Sequence, residues 1–290
     1  MIEPAKSPYL VPFDGTFRVA DSATQPTGKD FKRKEAKAEI LSLMDELRDR
    51  QRMLYAQDQY SLLLVFQAMD AAGKDSTIRA VMSGIDPSGC QVHAFKRPSS
   101  RELDHDFLWR TAKALPERGR IGIFNRSYYE ETLVVRVHPE ILNYQRLPDR
   151  PDDDTVWAQR FESIRDHEKH LVRNGTVVVK FWLNVSRDEQ RARFLSRIDD
   201  QRKNWKFEAG DVRERGYWND YMAAYEDTLN QTSRAHAPWY AIPADSKSYM
   251  RVQVARIVRD TLNNMNLGYP TLSEKETTQL ADFRQQLAND

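Results

Sequence analysis

Ser61 to Gln67, reading SLLLVFQ, carries no charged side chain and no alternation of polar with apolar residues. A segment of that kind forms a strand hidden on both faces, as in a parallel sheet covered by helices. Four more short, largely apolar segments read as strands: Gln91 to Phe95, Arg120 to Phe124 (RIGIF), Gly175 to Leu183 (GTVVVKFWL) and Trp239 to Ile242. Helical stretches lie before and between them. Ile40, Leu43, Leu47 and Leu54 mark one face of a helix within Asp30 to Tyr55. Gly73 to Ser83, Arg101 to Leu115, Ser127 to Arg136, Thr155 to Asn174, Tyr217 to Leu229 and Tyr249 to Leu262 complete the helical set, with another helix capped by Ser186 and carrying Glu189 at capping-box spacing. The alternation predicts an α/β fold: three layers, with a parallel sheet of about five strands between helices. Ligands in such sheets bind beyond the carboxyl ends of the strands, which directs attention to the ends of the first and third.

The composition excludes several classes. Of 290 residues, 40% are hydrophobic and the formal charge is only +1, so the chain can build a core and is not a general nucleic-acid coat. Cys90 is the only cysteine, which excludes an intrachain disulfide and fits a reducing compartment. The apolar run Leu62 to Phe66 is too short to span a bilayer, and Met1 to Val11 has no apolar signal core. The expectation is a cytoplasmic protein with neither membrane nor nucleic acid as partner. Residues 1–29, rich in Pro, Gly, Ser and Thr, read as an irregular arm, 30–270 as one domain with a lid at about 197–215, and 271–290 as a polar tail.

Beyond the first strand the chain continues Ala68-Met69-Asp70-Ala71-Ala72-Gly73-Lys74-Asp75-Ser76-Thr77. The string resembles the phosphate-binding pattern G-x-x-x-x-G-K-[ST], with Ala68 at the first glycine and Asp75 between the lysine and the hydroxyls. Gly73 permits a tight turn, the helix that follows offers its positive end, and Lys74 adds a mobile charge. Ala71, Ala72, Gly73, Lys74, Asp75, Ser76 and Thr77 are therefore candidate phosphate ligands. Asp70 is an unusual acid for such a loop. It reads as a Mg²⁺ ligand or a group that orients the acceptor, against the plainer reading that it satisfies loop amides.

The third strand closes in Asn125-Arg126-Ser127-Tyr128-Tyr129-Glu130-Glu131. Asn125 stands where an acid often holds metal or water, Arg126 can clamp a phosphate bidentately, and Glu130 and Glu131 could complete a metal site or read the acceptor. Trp239 and Tyr240 could stack on a nucleobase or pack in the core. The six histidines show no metal-site spacing with nearby carboxylates.

With these two strings the chain resembles the family-2 polyphosphate kinases. Asn204-Trp205-Lys206-Phe207, Ala237-Pro238-Trp239-Tyr240 and Pro243-Ala244-Asp245 extend the likeness over about Asp30 to Leu267. The resemblance implies a P-loop kinase fold like that of thymidylate kinase, with a helical lid. It also implies Mg²⁺ (or Mn²⁺), a homodimer or homotetramer, and reversible phosphoryl transfer between inorganic polyphosphate and adenine nucleotides, guanine nucleotides being further candidates. Many family members carry Asp where this chain has Asn125. The Asn, Glu130-Glu131 and Met82-Ser83-Gly84 resemble the branch that accepts both AMP and ADP.

Arg191 to Arg215 alternates many cations with acids, and its centre has little apolar periodicity, as befits a lid over phosphates. Arg193 and Arg197, one helical turn apart, are placed to bridge donor and acceptor, and Lys206 to grip the phosphate chain. The alternative is a solvated charged face. For the whole chain, an ATP-dependent nucleoside monophosphate kinase and a non-catalytic polyphosphate-binding module remain open beside direct in-line transfer.

Overall fold

The computed structural model describes residues 2–27 and 32–289, with the backbone alone for Lys206. Residues 28–31, where the arm was expected to end and the domain to begin, lie outside the described residues.

Five strands, β1 (Ser61–Gln67), β2 (Cys90–Ala94), β3 (Ile121–Asn125), β4 (Thr176–Asn184) and β5 (Trp239–Pro243), form one parallel sheet in the order β2-β3-β1-β4-β5. Every residue of β1 is buried, as its uninterrupted apolar sequence requires. Among the described residues eight helices of more than one turn accompany the sheet: α1 (Arg33–Gln57), α2 (Lys74–Met82), α3 (Asp153–Arg173), α4 (Arg187–Asp199), α5 (Ala209–Glu214), α6 (Trp218–Thr232), α7 (Lys247–Asn264) and α8 (Glu274–Asn289). Helices α1, α2 and α7 pack on one another, as do α3 and α6, so the sheet is covered on both faces. This is the three-layer arrangement expected from the alternation. Among the described residues no helix is long and apolar enough to cross a membrane.

Two expected helices are broken. Within Arg101 to Leu115 only the single turns Ser100–Leu103 and Trp109–Ala112 form, because the Asp106 carboxylate accepts from the amides of Leu108 and Trp109 and restarts the chain. Ser127 to Arg136 becomes a 3₁₀ segment, Tyr128–Thr132, then one turn, Val134–Val137. Leu133, at φ −116° and ψ −82°, separates the two. The polar tail carries a helix, α8, none of whose described residues is buried.

The first residues lie along β5. Val11 N–H donates to Trp239 O at 2.9 Å and Ala241 N–H to Tyr9 O at 2.8 Å, so the arm pairs with the outer strand through an antiparallel bridge, Leu10 to Tyr240. That hides main-chain groups an edge strand would otherwise expose.

Behind the sheet's carboxyl end lies a charged core. Lys180 of β4 and Glu168 of α3 are both fully buried and 2.6 Å apart. The Lys180 ammonium also donates to Tyr129 Oη at 2.8 Å and Thr232 O at 2.9 Å, so all three of its hydrogens are used. Glu168 Oε1 accepts from the hydroxyls of Tyr128 and Tyr129 at 2.9 and 2.7 Å. Burial pulls the Lys180 ammonium down to about 8, and the Glu168 charge opposes that pull. The pair draws both tyrosines inward and so bends the chain just after β3.

Removing one partner of such a pair leaves an uncompensated buried charge, at a cost of about 3–5 kcal/mol. Lys180→Met is expected to lose that much stability in urea unfolding, and Lys180→Met with Glu168→Leu to lose less than the single change. A single replacement costing under about 1 kcal/mol would contradict this account of the core.

Candidate active site

β1 and β3 pair directly, with Phe66 opposite Asn125, and the ladder continues through Arg126 N–H to Phe66 O at 3.0 Å. The two strings singled out in the sequence therefore leave the sheet side by side. Gln67 Nε2 ties them further by donating to Ser127 Oγ at 3.2 Å.

The loop after β1 turns through Ala71 (φ +61°) and Gly73 (φ +107°). A Cβ on Gly73 would sit 3.2 Å from Met250 Cε and would carry an unfavourable left-handed backbone, so glycine is needed here. Helix α2 opens at Lys74 without a side-chain cap, leaving its first amides for an anion. Lys74 folds back across the loop, its ammonium donating to Ala68 O at 2.6 Å and Met69 O at 3.4 Å. Burial pulls that ammonium from 10.5 to about 8, the Arg126 charge adds to the pull, and Asp70, Glu130 and Asp75 oppose it.

Arg126, itself in the left-handed region at φ +65°, bridges two carboxylates: Asp70 Oδ1 at 2.7 Å and Glu130 Oε2 at 3.0 Å. Glu130 above all, with Asp70, holds the guanidinium strongly protonated against its burial. Burial alone would raise the Asp70 carboxyl, but Lys74, Arg126 and Arg197 outweigh it and hold the group below the usual carboxylate range. Asn125 Nδ2 donates to Asp75 Oδ1 at 2.6 Å, joining the end of β3 to the first turn of α2. Asp70, Lys74, Asn125 and Arg126 are thus brought together.

Other expected site residues lie elsewhere or do other work. Trp239 and Tyr240 are both fully buried; Trp239 Nε1 donates to Thr232 Oγ1 at 2.9 Å and the Tyr240 hydroxyl to Ala5 O at 2.9 Å. Neither ring is open to a nucleobase, because β5 runs through the core rather than past the cleft. Glu131 is buried as well, accepting from Gln145 Nε2 at 2.7 Å with Arg160 at 3.9 Å, and burial raises its carboxyl. It faces away from its neighbour Glu130 and reads no acceptor. Thr77 is fully buried and its hydroxyl has no hydrogen-bond partner among the described residues, while Ser76 Oγ donates to Gly73 O at 3.0 Å.

Arg193 does not bridge donor and acceptor. Its guanidinium is buried and donates to Ala71 O (3.2 Å), Ala72 O (2.6 Å), Ala244 O (2.6 Å), Asp245 O (3.1 Å) and Glu189 Oε1 (2.7 Å). It clamps the loop's carbonyls and so turns the other side of the loop toward a ligand. Glu189 is thereby diverted, and the expected capping box at Ser186 is half made: Ser186 Oγ accepts from Glu189 N at 3.2 Å, but the Glu189 carboxylate goes to Arg193. Arg197, one turn on, stays half-exposed beside Asp211 at 3.7 Å.

The segment expected to form the lid holds a 3₁₀ turn, Asn204–Lys206, and α5. Asp200 gathers Arg202 and Lys203, and α5 follows. From it Glu214 accepts from the Tyr221 hydroxyl at 2.7 Å and meets His138 Nε2 at 2.9 Å, while Arg215 donates to Arg187 O at 2.7 Å and Gln190 Oε1 at 2.8 Å. The side chain of Lys206 lies outside the described residues.

Loop, lid and α6 line a narrow cleft of about 30 Å³ over Asp70, Arg126 and Glu130. Its far wall, Leu133, Val134, Tyr221 and Tyr225, was not singled out in the sequence. The two tyrosines stand four apart on α6, a spacing that read only as helix. Among the described residues no cluster of three or more His, Cys, Asp or Glu could hold a metal ion.

Against known families, residues 30–269 match polyphosphate kinase 2 (PPK2). This chain belongs to the polyphosphate kinase 2 family. The ADP-polyphosphate phosphotransferase of Rhodopseudomonas palustris is 51% identical over 271 residues, 92% of this chain and 94% of that protein. The AMP/ADP-polyphosphate phosphotransferase of Meiothermus ruber is 41% identical over 271 residues, 92% of this chain and 97% of that protein. The crystal structure of polyphosphate kinase 2 from Arthrobacter aurescens TC1 superposes with a TM-score of 0.86 at 36% identity, covering 97% of this chain and 99% of that one. The three-layer sheet with its glycine-lysine loop is thus set in a polyphosphate kinase 2 chain along nearly its whole length.

The two arginines of α4 should separate in unfolding experiments. Arg193→Met strands several buried carbonyls and is expected to lose about 3 kcal/mol, since each unsatisfied group costs about 1–3 kcal/mol. Arg197→Met, at a half-exposed and longer contact, should stay within about 0.5 kcal/mol. Equal losses in denaturant titrations would refute the clamp.

Proposed function

We propose that this polyphosphate kinase 2 chain catalyses reversible phosphoryl transfer between inorganic polyphosphate and nucleotides, ADP to ATP and also AMP to ADP. The observation that carries the reading is the meeting of Asp70, Lys74 and Arg126 at the mouth of the open first turn of α2. The names of the relatives supply the substrate class.

In this reading the end of the polyphosphate lies over Gly73 to Ser76, held by main-chain amides and by Lys74, which leaves its loop carbonyls to do so. The acceptor's phosphate sits opposite, beyond Asp70. Its terminal oxygen attacks the last phosphorus of the polymer in line, the bridging P–O bond breaks, and the shortened polymer leaves with the bridging oxygen. Arg126 and Arg197 offset the charge that spreads over the moving group, and Arg193 keeps the loop in shape. No protein nucleophile is needed.

Mg²⁺, or Mn²⁺ in its place, belongs to the same reading. Asp70 would hold it. A lone carboxylate fits an ion that keeps most of its waters and takes its other ligands from phosphate oxygens. When bound it would neutralise phosphate charge between donor and acceptor. A homodimer or homotetramer and a cytoplasmic location complete the proposal. Exposed Val92 on the outer strand β2 and the apolar side of α8 (Leu280, Phe283, Leu287) are surfaces a second copy would cover, and Cys90 is an unpaired thiol that burial raises to about 11.

The deciding assay mixes enzyme, ADP, polyphosphate and Mg²⁺ without ATP. ATP should appear, and ADP should appear when AMP is offered. An ATP-dependent nucleotide kinase would form nothing, and a passive binder would hold the polymer without transfer. Lys74→Ala and Asp70→Ala should each abolish transfer while circular dichroism stays unchanged; normal turnover by either would overturn the assignments.

The Lys74 ammonium, at about 8 without phosphate, rises when a polyanion binds beside it. Well below pH 8 it is already charged, and binding takes up little proton there. Above pH 8 binding must first protonate it, so affinity for polyphosphate should weaken and proton uptake should appear. Calorimetry in two buffers of different ionisation heat reads that uptake, and equal heats at pH 9 would count against Lys74 as the anchor.

A further inference from the structure

The polar side chains that line the cleft are nearly all committed to protein partners. Asp70 and Glu130 hold Arg126, Glu214 holds Tyr221, Gln190 Nε2 donates to Asp70 O at 3.0 Å, Arg215 donates to Gln190, and Asp211 lies beside Arg197. Tyr225 is the exception: the residue is 3% exposed and lines the cleft, its hydroxyl makes no hydrogen bond among the described residues, and that oxygen is not one of the enclosed unpartnered atoms, so it opens onto the cleft. A phenol in such a place ordinarily finds a partner.

We propose that the Tyr225 hydroxyl donates a hydrogen bond to a phosphate oxygen of the acceptor nucleotide, which makes Tyr225 a catalytic residue of the transfer reaction. The inference rests on the polyphosphate–nucleotide reading above and adds to it one contact that the sequence strings did not contain.

Three observations carry it. The ring is fixed: it stacks on Trp182 with centroids 5.2 Å apart and planes at 30°, and Phe17 meets the other ring of that pair edge-on at 6.1 Å. A donor held this rigidly loses little freedom when its acceptor arrives. The charges nearest the hydroxyl are those of the transfer site. Burial and Glu130 raise this phenol well above its ordinary value, Arg126 lowers it and Asp70 raises it, so it stays protonated wherever the enzyme works. Lastly, Asp70 and Glu130 are already tied to Arg126, and a phosphate entering the cleft would bring new acceptor oxygens beside them. Leu133 and Val134 give the same cleft an apolar wall beside these charges.

A neutral donor also answers a problem of charge. Two polyanions must approach each other, and cations already sit on the loop side at Lys74 and Arg126. A phenol on the opposite wall can orient one phosphate oxygen without binding the ground state as strongly as another guanidinium would.

Tyr225→Phe deletes only a hydroxyl that has no protein partner, so urea unfolding should match that of the unaltered enzyme. With ADP, polyphosphate and Mg²⁺, kcat/KM for ADP should fall about tenfold to hundredfold, the effect of one hydrogen bond to a charged group, while KM for polyphosphate holds. An unchanged kcat/KM for ADP overturns the assignment. So does a loss of stability, which would show that the hydroxyl has an internal partner, or a rise in KM for polyphosphate alone, which would place the contact on the donor. Failure of the unaltered enzyme to make ATP would instead sink the polyphosphate–nucleotide reading and this contact with it. Normal transfer by both proteins would remove Tyr225 alone.

Discussion

A carboxylate and a guanidinium 56 residues apart in the chain, Asp70 and Arg126, meet at 2.7 Å because β1 and β3 lie side by side in parallel register. Neither residue could reach the other if β2 lay between them. The sheet order puts β2 outside β3 and so brings two strand ends together at the one place where a phosphate can also reach the start of α2. The cleft, the depressed Lys74 ammonium and the retained charge on Asp70 all follow from that adjacency.

The loop in front of α2 is shaped from behind. Arg193 holds its carbonyls from the α4 side, and Gly73 supplies the backbone angle that no larger residue would accept beside Met250. The segment after β3 is shaped the same way, by the buried Lys180–Glu168 pair that draws Tyr128 and Tyr129 inward. In both places a charged group with every hydrogen-bonding position filled sets a backbone that local propensity would not choose, since the expected helix over Ser127 to Arg136 gives way to a 3₁₀ turn.

The sequence showed the fold well because its strongest signals are one-dimensional. An uninterrupted apolar strand followed by Gly-Lys marks both the sheet and the loop, and Asn125-Arg126 marks the second strand end. What it hid was direction. Glu130 and Glu131 are adjacent, yet one faces the cleft and the other the interior, and only packing against Gln145 and Arg160 decides which. Arg193 and Arg197 share a helix face, but Arg193 alone lies under the loop. Trp239 and Tyr240 could be read either as base-stacking or as core because nothing in a short strand tells how deeply it lies. Tyr221 and Tyr225 went unnoticed for the opposite reason: aromatic residues at helical spacing usually mean core.

The strip of chain around Leu10 has a consequence for assembly. By docking on β5 it covers one margin of the sheet, whereas the other margin, β2, has no strand beside it among the described residues. A unit with a single open margin can join one neighbour edge to edge and then has no margin left, so sheet-to-sheet growth stops at a pair and cannot run on into a fibre.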